Sequence, residues 1–271
     1  AIIGTDIQGA FDSVDHSTLL NRLGATLTLE PAITRFVALW LVRRFRVRLG
    51  PGVSTCYRLH RGIPQGGILS PFLWNLMVRG FSAQLNQLPG TYLRFYSDDG
   101  TLHVLGATRA EVATRARHAL TRLAQLLETR KLKLERSKCE SEVDADWGAD
   151  GLLDLGGATT VRSLRVLGVL IDPGFAFTDH LEYVVSKCQR RVQVLRRLAS
   201  SSWGLSTAFL AHTACALLHH VACFGIVAIG PYVDQRAARR YDVRIGHVAA
   251  RLVLGVSRTV RREALYTLSG L

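Results

Sequence analysis

The sequence predicts an α+β protein in two parts, a mixed unit over residues 1–172 and an all-helical unit over residues 173–271. Three observations carry this. Short apolar runs broken by Gly and Asp, such as FYSDDGTLHV at residues 95–104, read as strands joined by tight turns. Around Gly50-Pro51-Gly52, Arg44, Arg46 and Arg48 alternate with Phe45, Val47 and Leu49, the period of a strand. After Pro173-Gly174 the spacing of apolar residues changes to that of amphipathic helices.

Taken in order, Ala1 to Ile3 is a short core strand that ends at Asp6. A helix follows, capped by Asp15 or Ser17 ahead of Leu19, Leu20 and Leu23. The arginine hairpin, continued by Tyr57, Arg58, Leu59 and His60, carries one apolar and one basic face. Such a face can track a phosphate backbone without reading sequence, or can simply keep an edge soluble. Gly62, Gly66 and Gly67 allow close backbone approach, with Ser70 expected as an N-cap and Pro71 in the first helical turn. Asp99-Gly100 is a favoured hairpin turn between Tyr92–Ser97 and Thr101–Leu105. Thr108 and Glu111 form a capping box for a helix to about Arg130, apolar at Val112, Ala116, Leu120, Leu123 and Leu127. From Leu181, apolar Val184, Val185, Cys188, Val192, Leu195 and Leu198 define one stripe, and Lys187, Arg190, Arg191, Arg196 and Arg197 fall mainly elsewhere.

With 48% hydrophobic residues the chain can bury a core, which excludes a disordered chain. Its net charge of +13 comes mostly from arginine and points to a polyanionic partner, with solubility alone as the competing account. Five cysteines without a C-x-x-C pair or secretory signal read as reduced thiols of an intracellular protein. Residues 198–233 hold no Asp, Glu, Lys or Arg. Their histidines and small residues favour a buried helix over a membrane span, and His212, Cys215, His219 and Cys223 read as buried side chains on one stripe rather than zinc ligands.

Adjacent Asp98 and Asp99 repel each other on a solvated turn, yet two carboxylates on a rigid turn can hold a hard divalent cation. Such a site needs a third carboxylate, and Asp6, at the end of a core strand, can supply it. Asp6, the glycine-rich loop and the aspartate pair, in that order, resemble the polymerase motifs of reverse transcriptases, most closely those of non-LTR (LINE-type) retrotransposons. DIQGAFDSVDH resembles motif A, RGIPQGGILSPFLWNL motif B, FYSDD motif C, KLKLERSKCE motif D and RVLGVLID motif E. The tail RLVLGVSRTVRREALYTLSGL resembles, more weakly, a stretch that follows the thumb in these elements.

The resemblance implies a polymerase palm of antiparallel strands backed by helices, followed by a helical thumb and connection. It also implies RNA-directed DNA synthesis from a primer 3′-hydroxyl, with an RNA template, a DNA primer and dNTPs as partners and no membrane. Asp6, Asp98 and Asp99 would bind two Mg²⁺ ions, for which Mn²⁺ can substitute, and with Lys138 would be catalytic. Phe11 would gate against a ribose 2′-hydroxyl, with Gly9, Ala10, Gln65 and Gly66 near the substrate. Arg46, Arg48, Arg58, Leu167, Gly168, Arg190 and Arg197 would contact nucleic acid. Nucleus and cytoplasm are the expected locations.

The sequence departs from the family pattern at Gln8, where lysine is frequent, and at Ser97, where alanine is more common. It starts at Ala1 without methionine and lacks the fingers strands that would precede motif A. The expectation is a fragment of a longer polyprotein, inactive without its N-terminal fingers. The competing expectation is an inactive remnant or domesticated domain that binds nucleic acid through its arginines.

Overall fold

The structure, a computed structural model, describes residues 1–27, 30–143, 154–199, 204–256 and 259–269. Part of the charge-free run (residues 200–203) and Ser257, Arg258, Gly270 and Leu271 of the tail lie outside the described residues. The chain divides into two compact units, Ala1–Leu167 and Gly168–Leu271.

The first unit opens with β1 (Ile2–Thr5), α1 (Ala10–Ser13), α2 (His16–Thr26) and α3 (Pro31–Leu41). The carboxylate of Asp15 caps α2 by accepting from the Thr18 N–H at 2.9 Å, one of the two caps expected. The arginine hairpin forms as β2 (Arg43–Phe45), β3 (Arg48–Leu49), β4 (Gly52–Val53) and β5 (Tyr57–Leu59), with β3 paired to β4 and β2 to β5. Phe45 stacks on Tyr57 at 5.5 Å, and Arg44 lies opposite Arg58. The expected apolar face is itself exposed: Phe45 keeps 43% and Leu49 86% of their surface.

Helices α4 (Ser70–Val78) and α5 (Phe81–Leu85) lead into the hairpin of β6 (Thr91–Tyr96) and β7 (Asp99–Val104). Ser70 is the first residue of α4 rather than its cap: Leu69 holds the cap position, and the Ser70 hydroxyl donates back to the carbonyl of Pro64. The hairpin also corrects the expected turn. Ser97 (φ 57°) and Asp98 make it, and Asp99-Gly100 lies inside β7. The glycine is needed there because a Cβ at position 100 would sit 2.2 Å from the Thr5 hydroxyl and 2.9 Å from the Phe95 ring. Crowding from the neighbouring strand, not turn chemistry, accounts for Gly100.

The long α6 (Arg109–Glu128) is capped by Thr108, which accepts from the Glu111 N–H at 3.2 Å. β8 (Glu140–Glu142), β9 (Thr159–Thr160) and β10 (Leu164–Val166) complete the unit. Among the described residues β6, β7, β1, β8 and β9 form one sheet in that order, antiparallel except for the β8–β9 pair. Val112, Ala116, Leu120, Leu123 and Leu127 of α6 are buried in one core with Ile3, Leu93 and Leu102 of the sheet and Trp74 and Met77 of α4. Each such leucine contributes about 1.5–3 kcal/mol by leaving water.

The second unit contains β11 (Val169–Ile171), α7 (Thr178–Leu198), α8 (Thr207–Ala214), a π-helical turn (Cys215–His219), α9 (His220–Ala222), α10 (Ile226–Ile229), α11 (Gln235–Leu254) and α12 (Arg262–Ser269). The buried carboxylate of Asp172 accepts from the N–H groups of Phe177 and Thr178, both at 2.7 Å, and so caps α7 from upstream. The Leu170 N–H donates to Nδ1 of the buried His180 at 3.3 Å. β11 and Asp172 are therefore held to α7 within the second unit. The α7 stripe packs as expected, with Val184, Val185, Cys188, Val192 and Leu195 buried against Leu210, Ala214 and Leu218 and against Ile245, Ala249 and Val253 of α11.

That packing overturns one expectation. His212, Cys215, His219 and Cys223 are exposed, because Leu210, Ala214 and Leu218 take the inward face of the same segment. Among the described residues no group of three His, Cys, Asp or Glu side chains is gathered as a ready-made metal site. No single described helix is long and apolar enough to cross a membrane, although the bent pair Thr207–Ala222 and Ile226–Tyr232 reaches that length and composition together.

Candidate active site

The end of β1 and the β6–β7 turn bring three carboxylates to one edge of the sheet. Thr5 pairs with Gly100, so Asp6 leaves the sheet beside the start of β7, where Asp99 stands and Asp98 precedes it in the turn. Burial pushes the Asp99 carboxyl above its usual range, and the negative charges of Asp98 and Asp6 push it further. Asp99 thus feels both other carboxylates, although Asp98 and Asp99 face solvent and the Asp6 side chain is 45% exposed.

Lys138 belongs to the same place. Its segment lies antiparallel to the residues after β1, with the Glu135 N–H donating to the Asp6 carbonyl and the Gln8 N–H to the Lys133 carbonyl, both at 2.9 Å. From a 3₁₀ turn (Arg136–Lys138) its ammonium reaches to 3.7 Å from the Asp6 carboxylate. Exposure of this pair, 71% at Lys138, limits it to under about 1 kcal/mol.

Phe11 is half-buried and stacks on Trp74 at 5.2 Å. The Trp74 indole N–H donates to the Ser97 carbonyl at 2.6 Å, so one ring ties the Phe11 helix, the α4 helix and the aspartate turn together. The sequence alone does not single out Trp74, because a tryptophan inside an otherwise apolar helix reads as core. The loop before α4 closes on α1 through the Gly62 N–H to Val14 and the Ile63 N–H to Phe11, both at 2.8 Å. At Gly62 (φ 87°) a Cβ would stand 2.9 Å from the Asp12 carbonyl oxygen, which restricts the position to glycine. Gln65 is exposed and its amide donates to the Asp12 carboxylate at 3.3 Å. Gly9 and Gly66 are exposed, whereas Ala10 is buried and its N–H is bonded to the Ile7 carbonyl at 3.2 Å.

The expected nucleic-acid contacts are placed in both units. Arg46, Arg48 and Arg58 are exposed on the hairpin, and Leu167 is 49% exposed with φ 48° ahead of Gly168 at φ 89°. In the second unit Arg190 and Arg197 are exposed on α7, as are Lys187 and Arg196. Arg191 turns inward and donates to the Leu217 carbonyl at 2.5 Å.

Whether a divalent cation fits can be judged from the donors. All three groups are carboxylates, the ligands hard cations take, and their mutual repulsion, visible at Asp99, is what a bound cation would offset. They are not drawn into a closed cage as they stand.

The family described as reverse transcriptase (RNA-dependent DNA polymerase) matches residues 1–171. A 115 kDa protein of the type-1 retrotransposable element R1DM of Drosophila melanogaster is 26% identical over 280 residues, covering 99% of this chain and 26% of that protein. The RNA-directed DNA polymerase of the mobile element jockey of Drosophila funebris is 23% identical over 279 residues, covering 98% of this chain and 28% of its own length. The chain spans about a quarter of the length of these curated relatives. A solved structure of telomerase from Candida albicans with a fragment of telomeric RNA aligns over 94% of this chain and 44% of that one, at 13% identity and a TM-score of 0.46.

Proposed function

This chain belongs to the reverse transcriptase (RNA-dependent DNA polymerase) family, and from that premise we propose that it extends a DNA primer 3′-hydroxyl on an RNA template, using dNTPs. The observation that carries the reading is the shared sheet edge of Asp6, Asp98 and Asp99, where partial burial and the charges of Asp98 and Asp6 push the Asp99 carboxyl above its usual range.

Reverse transcriptases use divalent metal ions, and Asp6, Asp98 and Asp99 would hold two Mg²⁺. Bound there, such ions supply Lewis acidity toward the primer hydroxyl and the pyrophosphate oxygens. The chain's own residues do the rest. Phe11, braced by Trp74, would crowd a ribose 2′-hydroxyl and favour deoxynucleotides. Lys138, held beside Asp6, can give its ammonium proton to the departing pyrophosphate. The exposed arginines of the hairpin and of α7 bind template and primer backbone. Fingers strands from the preceding part of a longer polyprotein would complete the nucleotide site.

The test is RNA-templated primer extension by the full-length protein carrying Asp98→Asn. Loss of incorporation with salt-sensitive nucleic-acid binding retained is expected; a variant that still extends the primer overturns the assignment.

A further inference from the structure

Beside α1 lies an open concavity of about 340 Å³, lined by Gln8, Gly9, Asp12, Ser13, Arg61, Lys131 and Lys133. Its volume is at the low end for small-ligand sites, about 300–1,000 Å³, and three of its lining residues, Arg61, Lys131 and Lys133, are cations. Three cations face one carboxylate, and the amide of Gln65 already bonds that carboxylate, Asp12.

The cations come from separate segments whose backbones are fixed. Arg61 is in a β-bridge with Asp15, and the Lys133 carbonyl accepts from the Gln8 N–H at 2.9 Å. Lys131 stands at the end of α6, where the Leu132 N–H returns to the Leu127 carbonyl at 3.0 Å and the Lys131 N–H to Glu128 at 2.9 Å. That double return is a Schellman ending, and the left-handed residue it requires is usually glycine. Here it is lysine, with φ 58°. The chain accepts backbone strain to keep an ammonium at this wall, paired to Asp15 at 2.9 Å. Asp15 and Asp12 offset part of the charge of Arg61, Lys131 and Lys133, and the excess of cations that is left favours an anion in the concavity.

We propose that this pocket is a phosphate-binding subsite, with the Arg61 guanidinium as a fork and Lys131 and Lys133 as flanking ammoniums. The phosphate belongs either to an incoming nucleoside triphosphate or to the backbone of the template-primer, and both sources rest on the polymerase reading above.

Equilibrium binding of inorganic tripolyphosphate and of a labelled DNA oligonucleotide to the full chain, with EDTA present, separates the two. Arg61→Gln/Lys133→Gln removes two cations, and Lys131→Gly removes the third while supplying the residue that the helix end prefers. Each variant should weaken one probe by about threefold to tenfold, with the thermal midpoint retained in Lys131→Gly. Loss for tripolyphosphate assigns the triphosphate; loss for the oligonucleotide, with a shallower salt dependence, assigns the backbone. Unchanged affinity for both probes in either variant overturns the site, as does an equal loss of tripolyphosphate affinity in Arg46→Gln/Arg48→Gln. Nothing is polymerised and metal is chelated, so failure here leaves the Asp98→Asn test standing.

Discussion

The indole N–H of Trp74 bonds the backbone carbonyl of Ser97 at 2.6 Å, while the face of the same ring carries Phe11. A single side chain therefore sets the distance between the residue that would gate the sugar and the turn that bears Asp98. Trp74→Phe should keep the stacking and lose the bond, costing about 1–2 kcal/mol of stability. It should also lower the extension rate more than substrate affinity, since the aspartate turn would be less well placed. Urea denaturation alongside steady-state extension measures both.

Arg130 is a second hidden brace. Its guanidinium is 7% exposed, lies 4.0 Å over the Phe81 ring, and donates to the carbonyls of Met77 and Arg79 at the end of α4. Burial lowers its pKa to about 10, with a smaller contribution from Arg22, so it stays charged at neutral pH. Arg130→Met should cost about 3 kcal/mol by leaving buried carbonyls unpaired. Arg130→Lys should recover only part of this, because one ammonium cannot reproduce the fork. A lower urea midpoint with an unchanged slope is the expected signature.

Two aspartates should show opposite pH dependence. The Ser17 hydroxyl, then Lys131 and the Thr18 N–H and hydroxyl, hold the Asp15 carboxyl well below its ordinary 3.8 despite partial burial. Its contribution is therefore present above that pH and lost as pH falls below it. Asp15→Ala should cost about 1 kcal/mol near neutrality and little in acid. Asp99, raised above 3.8, makes folding less favourable as pH climbs past that value. Asp99→Asn should raise the thermal midpoint at pH 7 modestly, by under about 1 kcal/mol since solvent screens an exposed group. Added Mg²⁺ should raise the wild-type midpoint and leave that of Asp99→Asn nearly unchanged.

Phe11→Val should relax discrimination against ribonucleotides by about tenfold to a hundredfold, the range a steric contact in a pocket supplies. Because Phe11 packs on Trp74, a stability loss of about 1–2 kcal/mol should accompany it. Competing dNTP and rNTP incorporation, measured at a temperature where both proteins are folded, reads the first effect without the second.

Much of this architecture is legible from local chemistry. The strand before Asp6, the Thr108 cap and stripe of α6, and the buried stripe of α7 are each set by residues close by in the chain, and the sequence states them directly. What it hides is demand from across the fold. Gly100 looks like a turn residue until Thr5 is placed beside it, and Ser70 like a cap until Pro64 folds back to it. In the charge-free run both helix faces are apolar enough to pack, so periodicity alone could not say that the histidines and cysteines face outward. Arg130 and Lys131 look like ordinary surface cations at a helix end, and only the carbonyls of Met77 and Arg79 and the φ of Lys131 give them away.

The close approach at Gly62 makes one methyl group matter as much as a lost charge. A Cβ there would collide with the Asp12 backbone and pry apart the loops that carry Phe11 and Gln65. A single-nucleotide change from a glycine to an alanine codon would therefore disturb the site while leaving Asp6, Asp98 and Asp99 in place.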